Sequence, residues 1–239
     1  MKSVMRRTIV VTGSSRGIGR AITDKLIGLG HLVIGIARDA TIADYSDNKN
    51  YTPVNYDFID LDNITPLMRD LFNKYPMIDG LISNVGYGDF GSLEQFSVKR
   101  VKQLIDVNLT SHIIMSQLFL PHLKTKGGGD ICFIGSEAAL QGAKNGSVYC
   151  ASKFGLRGLA QSLRQEAQNR GVKIMIVHPG MVRTDFFQEL FFAPGDDPAN
   201  AVTPEEVADV IELMLTSQGA AVLDEVVINP QKKVVKFTR

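Results

Sequence analysis

A single doubly wound α/β domain, with a mostly parallel seven-stranded sheet covered by helices on both faces, is the fold class that the sequence predicts. Three observations predict it. Short apolar runs alternate with amphipathic stretches of helical length along nearly the whole chain. The runs are continuously apolar rather than alternating, as strands buried on both faces are. The first of them passes directly into a glycine-rich turn that opens a helix. At 239 residues the chain is long enough to bury one large core, and no repeat, low-complexity segment or linker divides it.

In chain order, residues 8–12 (TIVVT) read as a buried strand and 18–29 as a helix stopped by Gly30. Strands follow at 32–37 and, more weakly, at 51–56. Thr65-Pro66 opens a helix to about residue 74, with proline expected at the first helical position, where its missing N–H costs nothing. A fourth strand covers 78–83, one long helix covers 97–124, and the glycines at 127–129 break it. Next come a strand at 130–134, a helix at 148–169 and a strand at 172–178. Thr203-Pro204-Glu205-Glu206 reads as a capping box around a first-turn proline, starting a helix to about 215. A last short strand is expected at 226–229.

The segment 181–202 departs from the alternation. It carries Phe186, Phe187, Phe191 and Phe192 and then a Pro/Gly/Asp-rich stretch. Two readings stay open: the rings pack on the sheet edge, or they form a movable apolar lid over a ligand.

Composition narrows the function. Lys plus Arg is 26 against 25 Asp plus Glu, a net charge of +1, which leaves no footprint for nucleic acid or an anionic membrane. No apolar run approaches the ~20 residues of a membrane span. The basic N-terminus leads straight into a strand, without the apolar core and cleavage site of a signal peptide. The two cysteines, Cys132 and Cys150, make no disulfide framework and read as reduced thiols. A cytoplasmic protein is expected. The four histidines, His31, His112, His122 and His178, lack metal-ligand spacing. His178, before Pro-Gly at a strand end, reads as structural, with a site-facing role left open. No G-x-S-x-G signature of a hydrolase is present.

The turn after the first strand, Thr12-Gly13-Ser14-Ser15-Arg16-Gly17-Ile18-Gly19, has the context that raises a glycine motif above coincidence. Gly13 permits the sharp exit from the strand. Gly17 and Gly19 are expected to clear side chains from the path of a pyrophosphate, which the free N–H groups and dipole of a helix N-terminus attract. At the end of the second strand, the position where NAD-selective folds place a carboxylate is Ala37, followed by Arg38. Arg38 with Arg16 would clamp a 2′-phosphate; Asp39 argues the other way. NADP is therefore preferred, with NAD as the alternative.

Tyr149 and Lys153 stand at i, i+4 in a helical stretch and share one face. A phenol near its reference pKa of ~10 is a poor acid–base catalyst at neutral pH. A nearby ammonium, with the positive ring of an oxidised nicotinamide, stabilises the phenolate. Ser136, at the end of the fifth strand, presents a hydroxyl to a substrate carbonyl. Asn108, within the long helix, is placed to interrupt regular hydrogen bonding and hold a water.

Taken together, TGSSRGIG at 12–19, SNVG at 83–86, Asn108, Ser136, YCASK at 149–153 and HPGMVRT at 178–184 resemble the short-chain dehydrogenase/reductase family over nearly the whole chain. The resemblance implies a Rossmann fold and a catalytic tetrad of Asn108, Ser136, Tyr149 and Lys153. It implies cofactor contacts from Gly13, Ser14, Ser15, Arg16, Gly17, Ile18, Gly19 and Arg38, and an adenine bordered by Asp57 and Phe58. Asn84 and Gly86 would lie along the cofactor, and Tyr149 and Lys153 at the nicotinamide ribose. Pro179, Gly180, Val182 and Thr184 would meet the nicotinamide end, the last two orienting its carboxamide. Ser83 and Val85 replace the neighbours of Asn84 in the family's usual Asn-Asn-Ala-Gly run.

The activity implied is reversible, NADP(H)-dependent hydride transfer at the carbonyl or secondary alcohol of a small molecule. A cofactor-sensing protein that kept the fold and lost the chemistry is the rival, and the complete tetrad argues against it. No substrate-anchoring charge is evident, although Arg183 is a candidate. By the same resemblance, helices 97–124 and 148–169 form a bundle between copies, and a homotetramer is expected, with a dimer as the alternative. Small residues at Ala151, Gly155 and Gly158 would let the helices approach, and the basic segment 231–239 would order at an interface.

Overall fold

The computed structural model describes residues 6–45, 47–167, 169–217 and 221–237. The first half runs β1 (Thr8–Thr12), α1 (Gly17–Gly28), β2 (Leu32–Ala37), β3 (Tyr51–Asn55), α2 (Ile64–Lys74) and β4 (Ile78–Ser83). The second half runs α3 (Val98–Ile105), α4 (Ser111–Lys126), β5 (Gly129–Ile134), α5 (Ser147–Ala167), β6 (Val172–Pro179), β7 (Phe192–Pro194), α6 (Pro204–Thr216), β8 (Glu225–Ile228) and β9 (Val235–Phe237).

Seven strands form one sheet in the order β3-β2-β1-β4-β5-β6-β8, and every neighbouring pair is parallel. Alternate residues of the buried strands supply the two faces. Val10, Ile34 and Ile36 face α2, α4 and α5, where Met68, Phe119 and Leu156 are buried. Ile9, Val11 and Val33 face α1 and α6, where Ile22, Leu26 and Ile211 are buried. This is the doubly wound Rossmann arrangement. Pro53 sits in β3, an edge strand, where a residue without an N–H is tolerated. The Arg7 guanidinium lies 2.5 Å from Asp130 and 3.3 Å from Asp79, tying the chain before β1 to β4 and β5.

Three expectations are corrected. The helix expected over 97–124 is two, α3 and α4, joined by a π-helical turn at Asp106–Thr110. Pro66 lies at the third helical position because Asn63 is the N-cap; its missing N–H still falls in the first turn, where no intrahelical partner exists. Phe192 lies in a strand, β7, which pairs antiparallel with β9. The C-terminal segment is thus ordered on its own chain through Phe237, while 238 and 239 lie outside the described residues. The capping box at α6 forms as expected, with Thr203 and Glu206 each accepting the other's backbone N–H. Among the described residues, no helix is long and apolar enough to cross a membrane.

Candidate active site

The strand order reverses between β1 and β4, and the crevice at their C-terminal ends is where open α/β sheets bind ligands. Gly13 (φ +67°) and Gly17 (φ +55°) adopt the left-handed backbone that the turn requires. Gly19 has a structural reason besides the one expected. A Cβ there would stand 2.0 Å from the Gly13 carbonyl oxygen, so its small size lets the turn close on itself. Asn84 staples the turn across the crevice: its Nδ2 donates to the carbonyls of Thr12 (2.9 Å) and Gly13 (3.2 Å). Thr12 Oγ1 accepts the N–H groups of Asn84 and Val85. Ser14 is fully buried behind the turn, its hydroxyl beside that of Tyr51. Ser15 is half-buried. The N-terminus of α1 has no side-chain cap and no acidic residue in its first turn, so its N–H groups and dipole are open to an anion.

Arg16 and Arg38 are exposed, and neither has an ion-pair partner among the described residues. Asp39 directs Oδ1 to the Thr41 N–H at 3.1 Å, which turns it back along its own chain. Asp57 is exposed and accepts the Ile59 N–H. The Phe58 ring is in the core beside Tyr56, so only its backbone is left to border a base.

The four residues of the expected tetrad converge at the ends of β4, β5 and α5. Asn108 lies inside the π-helical turn, fully buried. Its amide makes a paired bond with Tyr87, donating to the carbonyl at 2.8 Å and accepting the N–H at 3.0 Å. Gly86 opposes it: a Cβ there would lie 3.2 Å from Asn108 Oδ1 and 3.9 Å from Lys153 Nζ. Lys153 is buried and donates to the Ile134 carbonyl at 3.1 Å. Burial lowers its pKa to about 8. Its Nζ is 5.9 Å from the Tyr149 ring centroid. Burial likewise pushes the Tyr149 phenol up to about 12, while the neighbouring Ser136 hydroxyl works the other way. In the protein alone, therefore, desolvation outweighs any lowering by Lys153.

Ser136 and Tyr149 open onto a cavity of about 710 Å³, as do Ile18, Pro179, Gly180, Val182 and Thr184. Of the open pair of readings for the aromatic segment, the structure favours rings over a ligand space, since Phe186, Phe187 and Phe192 line this cavity with Phe90. Tyr149 lies 5.0 Å from Phe90 and 6.1 Å from Phe186, centroid to centroid, in tilted contacts. Phe191 points elsewhere, stacking 6.5 Å from Phe237 of β9.

Arg183 does not line this cavity. Its guanidinium donates to the carbonyls of Gly195 and Asp197 and braces the loop. His178 is structural: fully buried, with Nδ1 3.1 Å from the Ser136 carbonyl and Nε2 3.1 Å from Glu225. The sequence reading missed His112, which bonds Ser83 Oγ (2.6 Å) and the Val85 carbonyl (2.8 Å) and ties α4 to the segment carrying Asn84. Burial holds it neutral, at about 3. Ser83 offered the signal: its hydroxyl supplies the partner that this histidine needs.

The comparisons agree with this geometry. The sequence profile of the family described as short chain dehydrogenase matches residues 7–194. A 3-oxoacyl-[acyl-carrier-protein] reductase from Buchnera aphidicola is 30% identical, over 99% of this chain and 94% of its own. An NADP-dependent 3-hydroxy acid dehydrogenase from Schizosaccharomyces pombe is 28% identical, over 94% and 92%. The crystal structure of a metagenomic short-chain oxidoreductase in complex with NADP superposes with a TM-score of 0.82 at 30% identity, covering 96% of this chain and 99% of the other. A parallel sheet with its crevice at the β1/β4 reversal, and a profile match through the tyrosine–lysine helix and beyond, lead to one assignment: this chain is an oxidoreductase of the short-chain dehydrogenase/reductase family.

Proposed function

We propose that the protein transfers hydride reversibly between NADP(H) and the carbonyl or secondary-alcohol carbon of a small molecule, in the cytoplasm. The observation that carries this reading is the position of Tyr149, on the wall of an aromatic cavity beside Ser136, with Lys153 buried one helical turn behind it. The residues present fit the cofactor. Positive-φ glycines shape the turn, the α1 N-terminus is uncapped, and Gly86 leaves open the space before Asn108 and Lys153 that a Cβ would fill. Exposed Arg16 and Arg38 suit a 2′-phosphate, and the turned-back Asp39 weakens the case for NAD. An NADP-bound structure and an NADP-dependent relative among the similar proteins support the same choice.

When bound, the reduced nicotinamide supplies the hydride. Everything else falls to this chain. Ser136 donates a hydrogen bond to the substrate oxygen and fixes its distance from Tyr149. The Tyr149 phenol, kept protonated by burial, gives its proton to that oxygen as charge develops there. The Lys153 ammonium stabilises the resulting phenolate from behind and would hold the cofactor's ribose, and Asn108 would hold the water that returns the proton. Phe186, Phe187 and Phe192 exclude bulk water. The exposed face of α5 carrying Ala151, Phe154 and Gly158, with Ile113 of α4, supports pairing of copies into a homotetramer or dimer. Gly155 does not contribute, because it packs on Leu109 of its own chain.

Oxidation of NADPH and NADH against a panel of ketones tests the reading, with Tyr149→Phe as the control. The variant is expected to lose about a thousandfold in kcat while its NADPH dissociation constant stays close to that of the unaltered protein. Turnover within tenfold of the original would remove Tyr149 from the mechanism.

A further inference from the structure

The acceptor side of the cavity carries a charge pattern that neither the resemblance nor the comparisons assign. Apart from Glu137 and Lys233, its wall is built of apolar and neutral polar residues. These two charges face each other, with Lys233 Nζ 2.5 Å from Glu137 Oε2. Glu137 directly follows Ser136, so it stands beside the point where the substrate oxygen is held. Lys233 comes from the other end of the chain, and its backbone is fixed on both sides. Lys232 N–H donates to the Ala199 carbonyl (3.0 Å), Gly195 N–H donates to the Val234 carbonyl (3.0 Å), and β9 then pairs with β7. The C-terminal segment thus straps the aromatic loop and delivers a counter-ion to Glu137.

We infer, resting on the hydride-transfer reading, that the Glu137–Lys233 pair determines specificity by closing the wall electrostatically. The cavity takes neutral aromatic carbonyl compounds and disfavours those carrying a carboxylate beside the carbonyl. A neutral ring meets Phe90, Phe186 and Phe192 in the tilted and edge-to-face contacts that aromatic pairs prefer. An anion has to approach Glu137, and it gains Lys233 only by breaking a formed pair. A cation meets the mirror-image problem. Glu137 and Lys233 keep 30% and 60% of their side-chain surface exposed, so solvent screens the pair and its effect is a moderate preference rather than an absolute gate.

Two probes with the same carbon skeleton test this: 4-phenyl-2-butanone, and 2-oxo-4-phenylbutanoate, in which a carboxylate replaces the methyl. Binding to the NADP-saturated protein is measured by calorimetry, and turnover is followed separately. The unaltered protein is expected to bind the neutral ketone about tenfold more tightly. Glu137→Gln should cut that ratio about fivefold and Lys233→Gln should raise it, effects of the size that one partly exposed pair supplies. Equal or tighter binding of the oxo acid by the unaltered protein overturns the proposal, as does a ratio that neither substitution moves. The two readings fail separately. A ratio that shifts as expected while neither probe is turned over sinks hydride transfer and keeps the filter; turnover with an unmoved ratio does the reverse.

Discussion

The phosphate-side turn at 12–19 and the acceptor lobe formed by 181–202 with the C-terminal strap both border the same cavity, yet they are held by different means. The turn is braced by neighbours at the ends of adjacent strands: Gly13 and Gly19 touch each other, and Asn84 crosses from β4 to pin them. The lobe is anchored at its two ends, where Val182 and Val202 pair with each other and join the core against the sheet, and between those ends its support comes from elsewhere. It is held by Arg183 on its own carbonyls and by the strap, through the β7–β9 ladder, Lys236 on Asp196 at 2.8 Å, and Asn200 on the Lys232 carbonyl at 3.2 Å. A rigid half thus presents the cofactor face, and a half tied by its own C-terminus presents the substrate face. The difference teaches that the two binding functions can be broken independently.

Arg38→Asp makes the sharpest cut on the rigid side. Replacing an exposed guanidinium by a carboxylate removes a charge-assisted bond to a 2′-phosphate and offers an acceptor to a 2′-hydroxyl. A bond to a charged group contributes roughly 1.5–3 kcal/mol, so the ratio of kcat/KM for NADPH over NADH should fall about 30-fold or more. The KM of the carbonyl substrate should stay put. An unchanged cofactor ratio would mean that Arg38 lies outside the 2′-phosphate site and that Asp39 merits the same test.

What could be read from the sequence follows the same division. Every strand of the main sheet and the glycine turn were legible, because each depends on a pattern within a few residues: an apolar run, a glycine at a positive φ, a capping box. The tyrosine–lysine helix was legible for the same reason. The π-helical turn was not, since apolar periodicity runs through 97–124 and no proline or glycine lies at Asp106–Thr110 to mark where it widens; the one proline of the stretch, Pro121, stands eleven residues beyond Thr110. Asn108 was found as a residue but its partner was not: Tyr87 belongs to another segment. The close approach of Gly19 to the Gly13 carbonyl was not legible, because only the fold shows which backbone it meets. Least legible was the strap. The basic tail was expected to order at an interface between copies, because nothing local marks β7 as its partner on the same chain, and Lys233 meets Glu137 across most of the second half of the chain.

Removing residues 231–239 tests the strapped half. It leaves β7 without its ladder partner and takes away the bonds to Gly195, Ala199 and Asn200. The main sheet loses no strand. The expected result is about a tenfold rise in substrate KM, the size of one or two lost net hydrogen bonds per stabilising contact, with NADPH affinity unchanged. Titration with NADPH and steady-state kinetics check it. Loss of both affinities together would show that the two halves are coupled and not merely adjacent.

The smallest effect expected on activity lies at the seam between the halves, where Lys153 is buried against β5, and it makes opposite demands on activity and stability. Burial lowers the lysine to about 8 in the folded protein, from 10.5. Between those values the unfolded chain binds the extra proton, so stability rises with pH across that window as the cost of a buried ammonium is relieved, by up to about 3 kcal/mol. Below pH 8 both states are charged and the cost is carried in full. Above pH 10 Tyr149, raised to about 12, begins to act the other way, because the unfolded phenol ionises first. Activity runs against this. Carbonyl reduction needs the ammonium to stabilise the forming phenolate, so kcat/KM should fall severalfold as pH rises from 8 to 9, while the melting temperature climbs relative to that of Lys153→Met. His112, neutral from about pH 3 upward, contributes nothing in this range. Only a lysine that is both buried and used in its charged form lowers activity while raising stability over the same pH interval. A variant whose melting temperature follows the unaltered protein's pH dependence would show that Lys153 is not the group being relieved.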